Sequence, residues 1–428
     1  MRTSILHIAV NWLADADNAV PEERATVCEL RVHLENDNVT SHLDAEQQYL
    51  DHVIVAAYPI AEGMAHNWWS LFGARDWIFH WRHHRMGYAI PDIRMRFDGT
   101  VFEISSEQRE IINPGLRYWS GSPEICEREV AELVLSDFIE ACADQLTLAN
   151  ITDSSLQMRW SRVQESVSNP DEAAFCEAAG ALLEDPYQVS PDKVDLIERS
   201  SELFEGENLI ELLSGIRGTN RGVEALNWVR EIENHKNYRT KMSDLNEISS
   251  EVRQAIPRRP RERSWAFGYR CARATRRNLD VPSDKKFKSV KNLASEFGNK
   301  NFSATQSSVS GIQALISRDK KHDTHVHLRN RQANSAARAG QLFSLGRAIG
   351  SAICFGTETR SVVNDLHDAA RQATSRAFAA EFLAPVDEIL SMREDGHDNE
   401  AIAGEFGVSI DMIDRQLENS QRIQIACA

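Results

Sequence analysis

The sequence has no stretch that is long and apolar enough to form a transmembrane helix. Such a helix needs about 18 or more consecutive apolar residues. The N-terminal run MRTSILHIAVNWLADAD is interrupted by His7 and Asn11 and carries one arginine, so it also lacks the pattern of a secretory signal peptide. We expect a cytoplasmic protein that makes no contact with a membrane.

Paired cysteines are missing as well. Seven cysteines are scattered singly along 428 residues, and no two of them form a Cys-x-x-Cys pair. An odd, dispersed set argues against a disulfide framework and against a zinc cluster. We expect reduced thiols that pack as small core side chains.

Common catalytic motifs are also lacking. The sequence has neither a glycine-rich phosphate-binding loop nor the Ser/His/Asp order of a hydrolase, and it has no paired-carboxylate motif. In residues 1–250 no motif indicates a mechanism.

Acidic residues are in excess, but they are unevenly distributed. The net charge is −16, and residues 1–250 carry 21 lysines and arginines against 43 acidic residues. Residues 251–300 reverse this balance, with 14 basic against 5 acidic residues. The two ends therefore differ in the partners that they attract, or the basic part faces the acidic part of the same chain.

Periodicity changes along the chain and predicts an α+β fold. The segment IRMRFDGTVFEI reads as a hairpin that turns at Asp98-Gly99, whereas a helical period appears from about residue 125. The run IPRRPRER, at 256–263, contains two prolines and four arginines and predicts an extended linker. We predict a β-rich α+β N-terminal domain, an acidic helical segment, a basic linker and an α+β domain that ends in a helical hairpin, at 1–124, 125–250, 251–263 and 264–428.

In the C-terminal part, a predicted strand pair is followed by two segments with helical periodicity, which we call the first and the second frame. The strands are SGIQALISRD and HDTHVHLRN, the first frame is QLFSLGRAIGSAICFG, and the second is ATSRAFAAEFLAP. In this order residues 264–425 resemble the metallopeptidase-like domain of the ImmA/IrrE family, zincin-type proteins of bacterial stress responses, mobile elements and toxin–antitoxin loci. The resemblance implies a zincin-like α+β fold.

The positions that differ from the family pattern are those of the metal ligands and the catalytic glutamate. A zincin needs two histidines one helical turn apart, a neighbouring glutamate that deprotonates the metal-bound water, and a third ligand from a later helix. The family frame puts Arg347 and Ser351 at the histidine positions and Ala348 at the glutamate position. The later-helix ligand position holds Gln372 or Thr374. The resemblance therefore implies a pseudoenzyme without a catalytic metal or another cofactor.

A guanidinium in place of a metal ligand repels cations and can only donate hydrogen bonds. Arg347 therefore needs an acceptor, and we expect it to act as a structural pin. The candidate acceptors are Asp365 and Asp368, which we expect on the following helix.

Two groups of histidines keep a metal site open as an alternative. Three lie on or before the second predicted strand, beside Asp323, and three lie in the run HWRHH. Neither group has a carboxylate or cysteine at the spacing of a metal site, and surface histidines on strands are common, so surface histidines are the simpler interpretation. The two groups are His322, His325 and His327, and His80, His83 and His84.

The arginine-rich segment is the best candidate for binding an acidic partner or nucleic acid. Its residues are Arg258, Arg259, Arg261, Arg263, Arg270, Arg273, Arg276 and Arg277. The last hairpin has helix-turn-helix spacing around Gly407, but Asp411, Asp414 and Glu418 would repel phosphates. We expect that hairpin to pack rather than to read DNA.

The favoured hypothesis is a non-catalytic ImmA/IrrE-like regulatory or scaffold protein that binds a protein partner in bacterial stress, toxin–antitoxin systems or anti-phage defence. One alternative is a zinc peptidase that uses His322, His325 or His327. A second alternative is a regulator that binds nucleic acid through residues 251–300.

Overall fold

A computed structural model of the protein describes residues 5–14, 20–111, 115–119, 121–217, 219–234, 240–304, 311–329, 335–357, 360–367 and 369–427. The chain divides into two compact units, Met1–Lys193 and Val194–Ala428. The fold is mixed α+β with several small antiparallel sheets, so the predicted fold class is confirmed at that level. Within the described ranges, no helix has the length and apolar character of a membrane span.

Three four-stranded antiparallel sheets build much of the first unit. The strands are β1 (Leu6–Trp12), β2 (Val27–Leu34), β3 (Asp37–Asn38), β4 (His42–Leu43), β5 (Tyr49–Leu50), β6 (Val53–Ala56), β7 (Phe79–His80), β8 (Asp92–Phe97), β9 (Phe102–Glu107), β10 (Arg109–Ile111), β11 (Leu116–Tyr118) and β12 (Gly121–Cys126). β2 pairs with β1, β3 and β6, β4 lies between β11 and β5, and β9 lies between β8 and β12. The predicted hairpin is formed by β8 and β9, where Phe97 faces Phe102.

Helices cover the apolar sides of these sheets. They are α1 (Pro21–Ala25), α2 (Tyr58–His66), α3 (Trp68–Gly73), a 3₁₀ helix (Trp81–His84), α4 (Arg128–Leu148), α5 (Ser155–Val167), α6 (Pro170–Ala181) and α7 (Pro191–Ser201), which spans the division between the units. Trp68, Trp69, Phe72 and Trp81 are buried in one core with strand residues and α4. This aromatic cluster therefore packs as part of the core.

The second unit contains one three-stranded antiparallel sheet. Its strands are β13 (Ile312–Arg318), β14 (Thr324–Leu328) and β15 (Ser361–Asn364). β13 lies in the centre, and its pairing with β14 aligns Ala314 with Leu328 and Arg318 with Thr324. The predicted strand pair is confirmed, and β15 is a third strand that the periodicity did not indicate.

Helices pack around this sheet and enclose the core of the second unit. They are α8 (Gly206–Gly215), α9 (Thr219–Asn234), α10 (Leu245–Ala255), α11 (Ser264–Asn278), α12 (Val290–Ser295), α13 (Ser335–Phe355), α14 (Ala370–Leu383), α15 (Val386–Glu394), α16 (Asn399–Phe406), α17 (Ile410–Glu418) and α18 (Ser420–Cys427). α13 contains the first family-like frame except for its last residue, Gly356, and α14 contains most of the second. The two frames thus become neighbouring elements of one core.

The arginine-rich run lies inside the second unit, so the domain boundary that the sequence predicts there stays a prediction. The segment before it already belongs to the core, because Met242 N donates to Thr324 O at 2.8 Å and Ser249 Oγ donates to Ala352 O at 2.8 Å. Residues 251–255 are the last part of α10, and residues 256–263 connect it to α11 within one unit.

Candidate functional site

The candidate site lies where α13 crosses α14 and the end of β15. Arg347, Ala348 and Ser351 all face the protein interior, as their one-turn spacing on α13 predicts. Gly350 permits the close crossing, because a Cβ atom there would lie 2.5 Å from the ring of Phe378. α13 and α14 therefore bring their polar side chains within hydrogen-bonding distance.

Arg347 is bound on several sides although only 2% of it is exposed. Its Nη1 forms an ion pair with Asp365, and its Nη2 donates to Asn364 O at 2.6 Å and to Gln372 Oε1 at 2.8 Å. The expected acceptor is therefore present. It lies directly after β15 rather than on a helix, and Asp368 lies outside the described residues.

Gln372 connects Arg347 to the backbone of β15 and to α8. Its Oε1 also accepts from Asn364 N at 3.0 Å, while its Nε2 donates to Val362 O at 3.0 Å and to Glu211 Oε1 at 2.9 Å. These bonds use both donor hydrogens and both acceptor directions of the amide. The side chain is fully buried, so its position is strongly determined.

Glu211 continues the chain of contacts to Ser351. Its Oε2 lies 3.1 Å from Arg371 Nε, and Arg371 Nη1 donates to Ser351 Oγ at 3.2 Å. The guanidinium of Arg371 also lies over the ring of Phe355, 4.3 Å from its centroid. We call this connected set the polar network. Its members are Glu211, Arg347, Ser351, Asn364, Asp365, Arg371 and Gln372.

Burial lowers the pKa of both arginines in the polar network. The pKa of Arg347 falls to about 10, because its burial outweighs the opposing attraction of Asp365. The pKa of Arg371 is lowered for the same reason, against the attraction of Glu211 and Glu207. A pKa of about 10 still leaves Arg347 charged at neutral pH, so each buried cation needs its carboxylate.

The positions that the family resemblance compares with zincin ligands hold side chains with other contacts. Arg347 offers only donors, Ala348 has no base, and Ser351 accepts from a cation. The other candidate, Thr374, donates its hydroxyl to Ser264 O at 2.9 Å and thereby ties α14 to α11. The arrangement can hold three helices and a strand together, and it can present positive charge.

The histidines of β14 are only partly arranged as a metal site. His325 and His327 share one face, with ring centroids 6.1 Å apart, but His327 is buried beside Ser317 Oγ. The neighbouring Asp323 is paired with Lys241 at 2.7 Å, and His322 lies in the preceding turn. Within the described ranges, no group of three or more histidine, cysteine, aspartate or glutamate side chains is placed to hold a metal ion.

The histidines of HWRHH lie on β7 and the 3₁₀ helix. His80 and His83 approach each other with centroids 5.1 Å apart, whereas His84 stacks on Phe79 at 4.7 Å. Asp92, the nearest carboxylate, contacts Arg82 and Arg94 as well as His80. These contacts account for the group as packing and ion pairing.

The eight arginines of the predicted basic surface do not form one surface. Arg276 is buried and donates to the carbonyls of Phe382, Pro282 and Ser283, and Arg270 and Arg273 pair with Glu262 and Glu381. Arg258 bonds to Glu262 O and Ser264 Oγ. Arg259, Arg261 and Arg277 are exposed, and Arg263 is half-buried. Half of the segment therefore serves the internal structure of the second unit.

The helical hairpin at the end of the chain is formed by α16 and α17. Gly407 ends α16 in the left-handed region with φ +71°, and Ser409 caps α17. Ala403 and Ile413 are buried in the main core. These contacts agree with the expected packing role.

Glu211, Arg371 and His367 join the site without having been expected from the sequence. His367 is buried, and its Nε2 lies 2.8 Å from Glu211 O. Glu211 is 161 positions from Gln372, within the segment that we treated as an acidic surface. Arg371 could have indicated a missing carboxylate, because an arginine on a buried helix needs an acidic partner.

No protein-family model, no curated protein and no solved structure matches this chain. Function is therefore inferred from the side chains that α8, α13, β15 and α14 bring together.

Proposed function

We propose that residues 264–425 are an ImmA/IrrE-like, zincin-type domain that has lost peptidase activity and serves as a regulatory or scaffold module for a protein partner. The setting that the resemblance implies, bacterial stress response, toxin–antitoxin systems or anti-phage defence, belongs to the same proposal. The polar network is the observation that carries it.

The polar network supports the loss of catalysis because the side chains at the substituted positions are joined by hydrogen bonds and an ion pair. Arg347 bonds directly to Gln372, and Ser351 joins through Arg371 and Glu211. Among the polar atoms of these three positions, Arg347 Nε is the exception, because it is buried and has no hydrogen-bond partner. A damaged active site would leave more such groups, each at a cost of about 1–3 kcal/mol. Such mutual satisfaction is what we expect of positions selected for structure after the metal ligands had gone.

The contact between the two family-like frames supports the zincin-type assignment. Cβ atoms at Gly346 and Gly350 would lie 3.2 Å from Ala379 and 2.5 Å from Phe378. Both glycines belong to the first frame and both neighbours to the second. The residues that carry the resemblance thus form one interface, which is how a zincin joins its metal-binding helix to the helix of the third ligand.

A zinc peptidase built on β14 has less support. His327 is buried against Ser317, and its pKa is lowered to about 3 by burial and by His325, so this imidazole is neutral at neutral pH, as a ligand must be. Asp323, however, already pairs with Lys241. Nucleic-acid binding through 251–300 is weakened by the internal use of Arg258, Arg270, Arg273 and Arg276.

Thermal unfolding of the intact protein with increasing Zn²⁺ tests the loss of the metal site. A ligand that binds only the folded state raises Tm with its concentration. We expect no rise in Tm, whereas a saturable rise that is reversed by chelator would contradict the proposal.

Recovery of the partner tests the binding role. The tagged intact chain, purified from its native host after cross-linking, should retain a partner protein of full length, and chelator should not change the yield. A partner that is cleaved in the absence of chelator and intact in its presence would instead identify a working peptidase.

A further inference from the structure

Two adjoining cavities open beside the polar network in the second unit. One has a volume of about 420 Å³ and the other of about 640 Å³, and both are lined by Phe343, Arg376 and Arg415. Small-molecule sites typically have volumes of about 300–1,000 Å³ and combine apolar walls with a few convergent polar groups. The pair of cavities therefore has the size of a small-molecule site.

The smaller cavity is basic. Arg347, Arg376 and Arg415 line it together with Ser344, and the acidic residue there is Asp365. Asp365 already forms an ion pair with Arg347, so its charge is largely compensated. Among the residues that line the cavity, arginines therefore outnumber acidic residues, and they come from three different helices, α13, α14 and α17.

Two of these arginines have unused hydrogen-bonding capacity. The Nε atom of Arg347 is buried and has no hydrogen-bond partner. The side chain of Arg415 is exposed, and no carboxylate among the described residues pairs with it. Arg415 can therefore donate to an acceptor that enters the cavity from outside the chain.

The larger cavity is more apolar. Trp265, Tyr269 and Met412 contribute to its wall, and Arg422 and Asp411 lie at its polar part. Tyr269 is fixed by a hydrogen bond to Gln416. A flat or apolar group of a ligand can therefore lie against Trp265 while its charged end reaches Arg415 and Arg376.

We propose that these two cavities form one binding site for a small organic phosphate, with the phosphate in the basic cavity and an apolar or ring-shaped body in the larger one. The guanidinium fork matches phosphate oxygens in a bidentate geometry. A phosphate monoester carries about −1.5 to −2 charges at neutral pH and offers three acceptor oxygens, which suits an arginine-lined cavity better than a single carboxylate does. The site is independent of the proposed protein partner.

Calorimetric titration of the intact protein with 1-naphthyl phosphate tests the site. We expect saturable binding that weakens with added salt, and weaker binding of inorganic phosphate, which leaves the larger cavity empty. Arg415→Gln should weaken 1-naphthyl phosphate binding by roughly tenfold or more, because a charge-assisted hydrogen bond is lost. Arg393→Gln, an exposed arginine on α15 outside both cavities, is the matched control and should bind as the wild type does.

Trp265→Ala separates the two cavities. It should weaken the binding of 1-naphthyl phosphate and leave that of inorganic phosphate unchanged. Absence of saturable binding of 1-naphthyl phosphate at millimolar concentration, or equal affinity in Arg415→Gln, would overturn the proposal. Tighter binding of 1-naphthoate than of 1-naphthyl phosphate would overturn the choice of a phosphate.

Discussion

At the scale of single residues, Arg347 determines the character of the candidate site. Its guanidinium is buried and accepted by a carboxylate, a backbone carbonyl and an amide oxygen. An arginine with these partners fixes α13 to β15 and α14. Its role is therefore testable as a contribution to stability.

Arg347→Met should lower the free energy of unfolding of the second unit by about 3 kcal/mol. The variant keeps much of the side-chain volume but leaves Gln372 Oε1 and Asn364 O without their charged donor. Asp365→Asn should cost less, because the Asp365 side chain is 48% exposed and water can replace its partner. Urea unfolding gives the difference, with Arg338→Met, an exposed position on the same helix, as control. If Arg347→Met and Arg338→Met had equal free energies of unfolding, Arg347 would not have the proposed structural role.

His327 should make the second unit acid-sensitive. Its pKa in the folded protein is about 3, against an ordinary value of 6.5, because burial disfavours the imidazolium and His325 adds like charge. Between these values only the unfolded chain takes up the proton. The stability that neutral His327 contributes is therefore present above pH 6.5 and falls as pH drops towards 3, by about 1.4 kcal/mol per pH unit.

Unfolding in urea at several pH values measures this slope. The pH dependence should be smaller in His327→Gln than in the wild type, whereas His397→Gln, at an exposed position, should keep the wild-type slope. Identical slopes in all three proteins would show that His327 titrates normally.

At the scale of elements, the close packing of α11 against α14 depends on Gly268. A Cβ atom at this position would lie 2.3 Å from Thr374 O, and backbone cannot move aside as a flexible side chain can. Gly268→Ala should therefore destabilise the second unit by about 1–3 kcal/mol, as overpacked cores do. Thermal or urea unfolding provides the measurement.

Gly404→Ala is the matched control for that substitution. Gly404 also lies within a helix, α16, but a Cβ atom there meets nothing within 4 Å. Alanine should stabilise the protein by about 0.5–1 kcal/mol, because it restricts the unfolded chain. Equal effects at the two glycines would show that the crossing of α11 and α14 is not tightly packed.

Regular elements with many periodic positions could be predicted from the sequence, and short ones could not. The apolar stripe of QLFSLGRAIGSAICFG predicted the helix that became α13, and the β8–β9 hairpin followed from Asp98-Gly99. β15 has only four residues, SVVN, too few for an alternating period to be recognised. The helix expected from residue 365 begins at Ala370, because Asn364 Oδ1 accepts from Leu366 N at 3.0 Å and favours a turn there.

Several residues of the candidate site could be named from the sequence, but most of the contacts that join them could not. The family resemblance singled out Arg347, Ser351 and Gln372, and their comparison with metal-site positions stays a prediction. The sequence also required an acceptor for Arg347, and Asp365 is that acceptor. Glu211 could not be found, because its pairing with Arg371 depends on the packing of α8 against the β15 region, which no local pattern encodes. Long-range polar contacts of this kind follow from tertiary structure alone.

At the scale of the whole molecule, the position of the boundary decides which fragments fold. α10 places Leu245, Ile248 and Val252 in the same core as α13. A fragment that starts at Ser190 keeps these residues, Glu211 and a complete α7. It should unfold cooperatively on its own.

A fragment that starts at Ser264, after the arginine-rich run, is the informative comparison. It lacks α8 and α10, so it exposes the apolar surface that they cover and leaves Arg371 without Glu211. We expect it to be insoluble or to unfold without a cooperative transition, as judged by circular dichroism. Cooperative folding of this shorter fragment would support the domain boundary that the sequence predicts at residues 251–263.

Zinc content tests directly whether the polar network has replaced a metal centre, as we propose. The protein is purified without chelator from cells grown with added zinc and analysed by inductively coupled plasma mass spectrometry. We expect the wild-type protein to be folded and to contain far less than one zinc per chain. The variant His325→Ala/His327→Ala should have the same zinc content. One zinc per chain, lost in that variant together with peptidase activity, would contradict it.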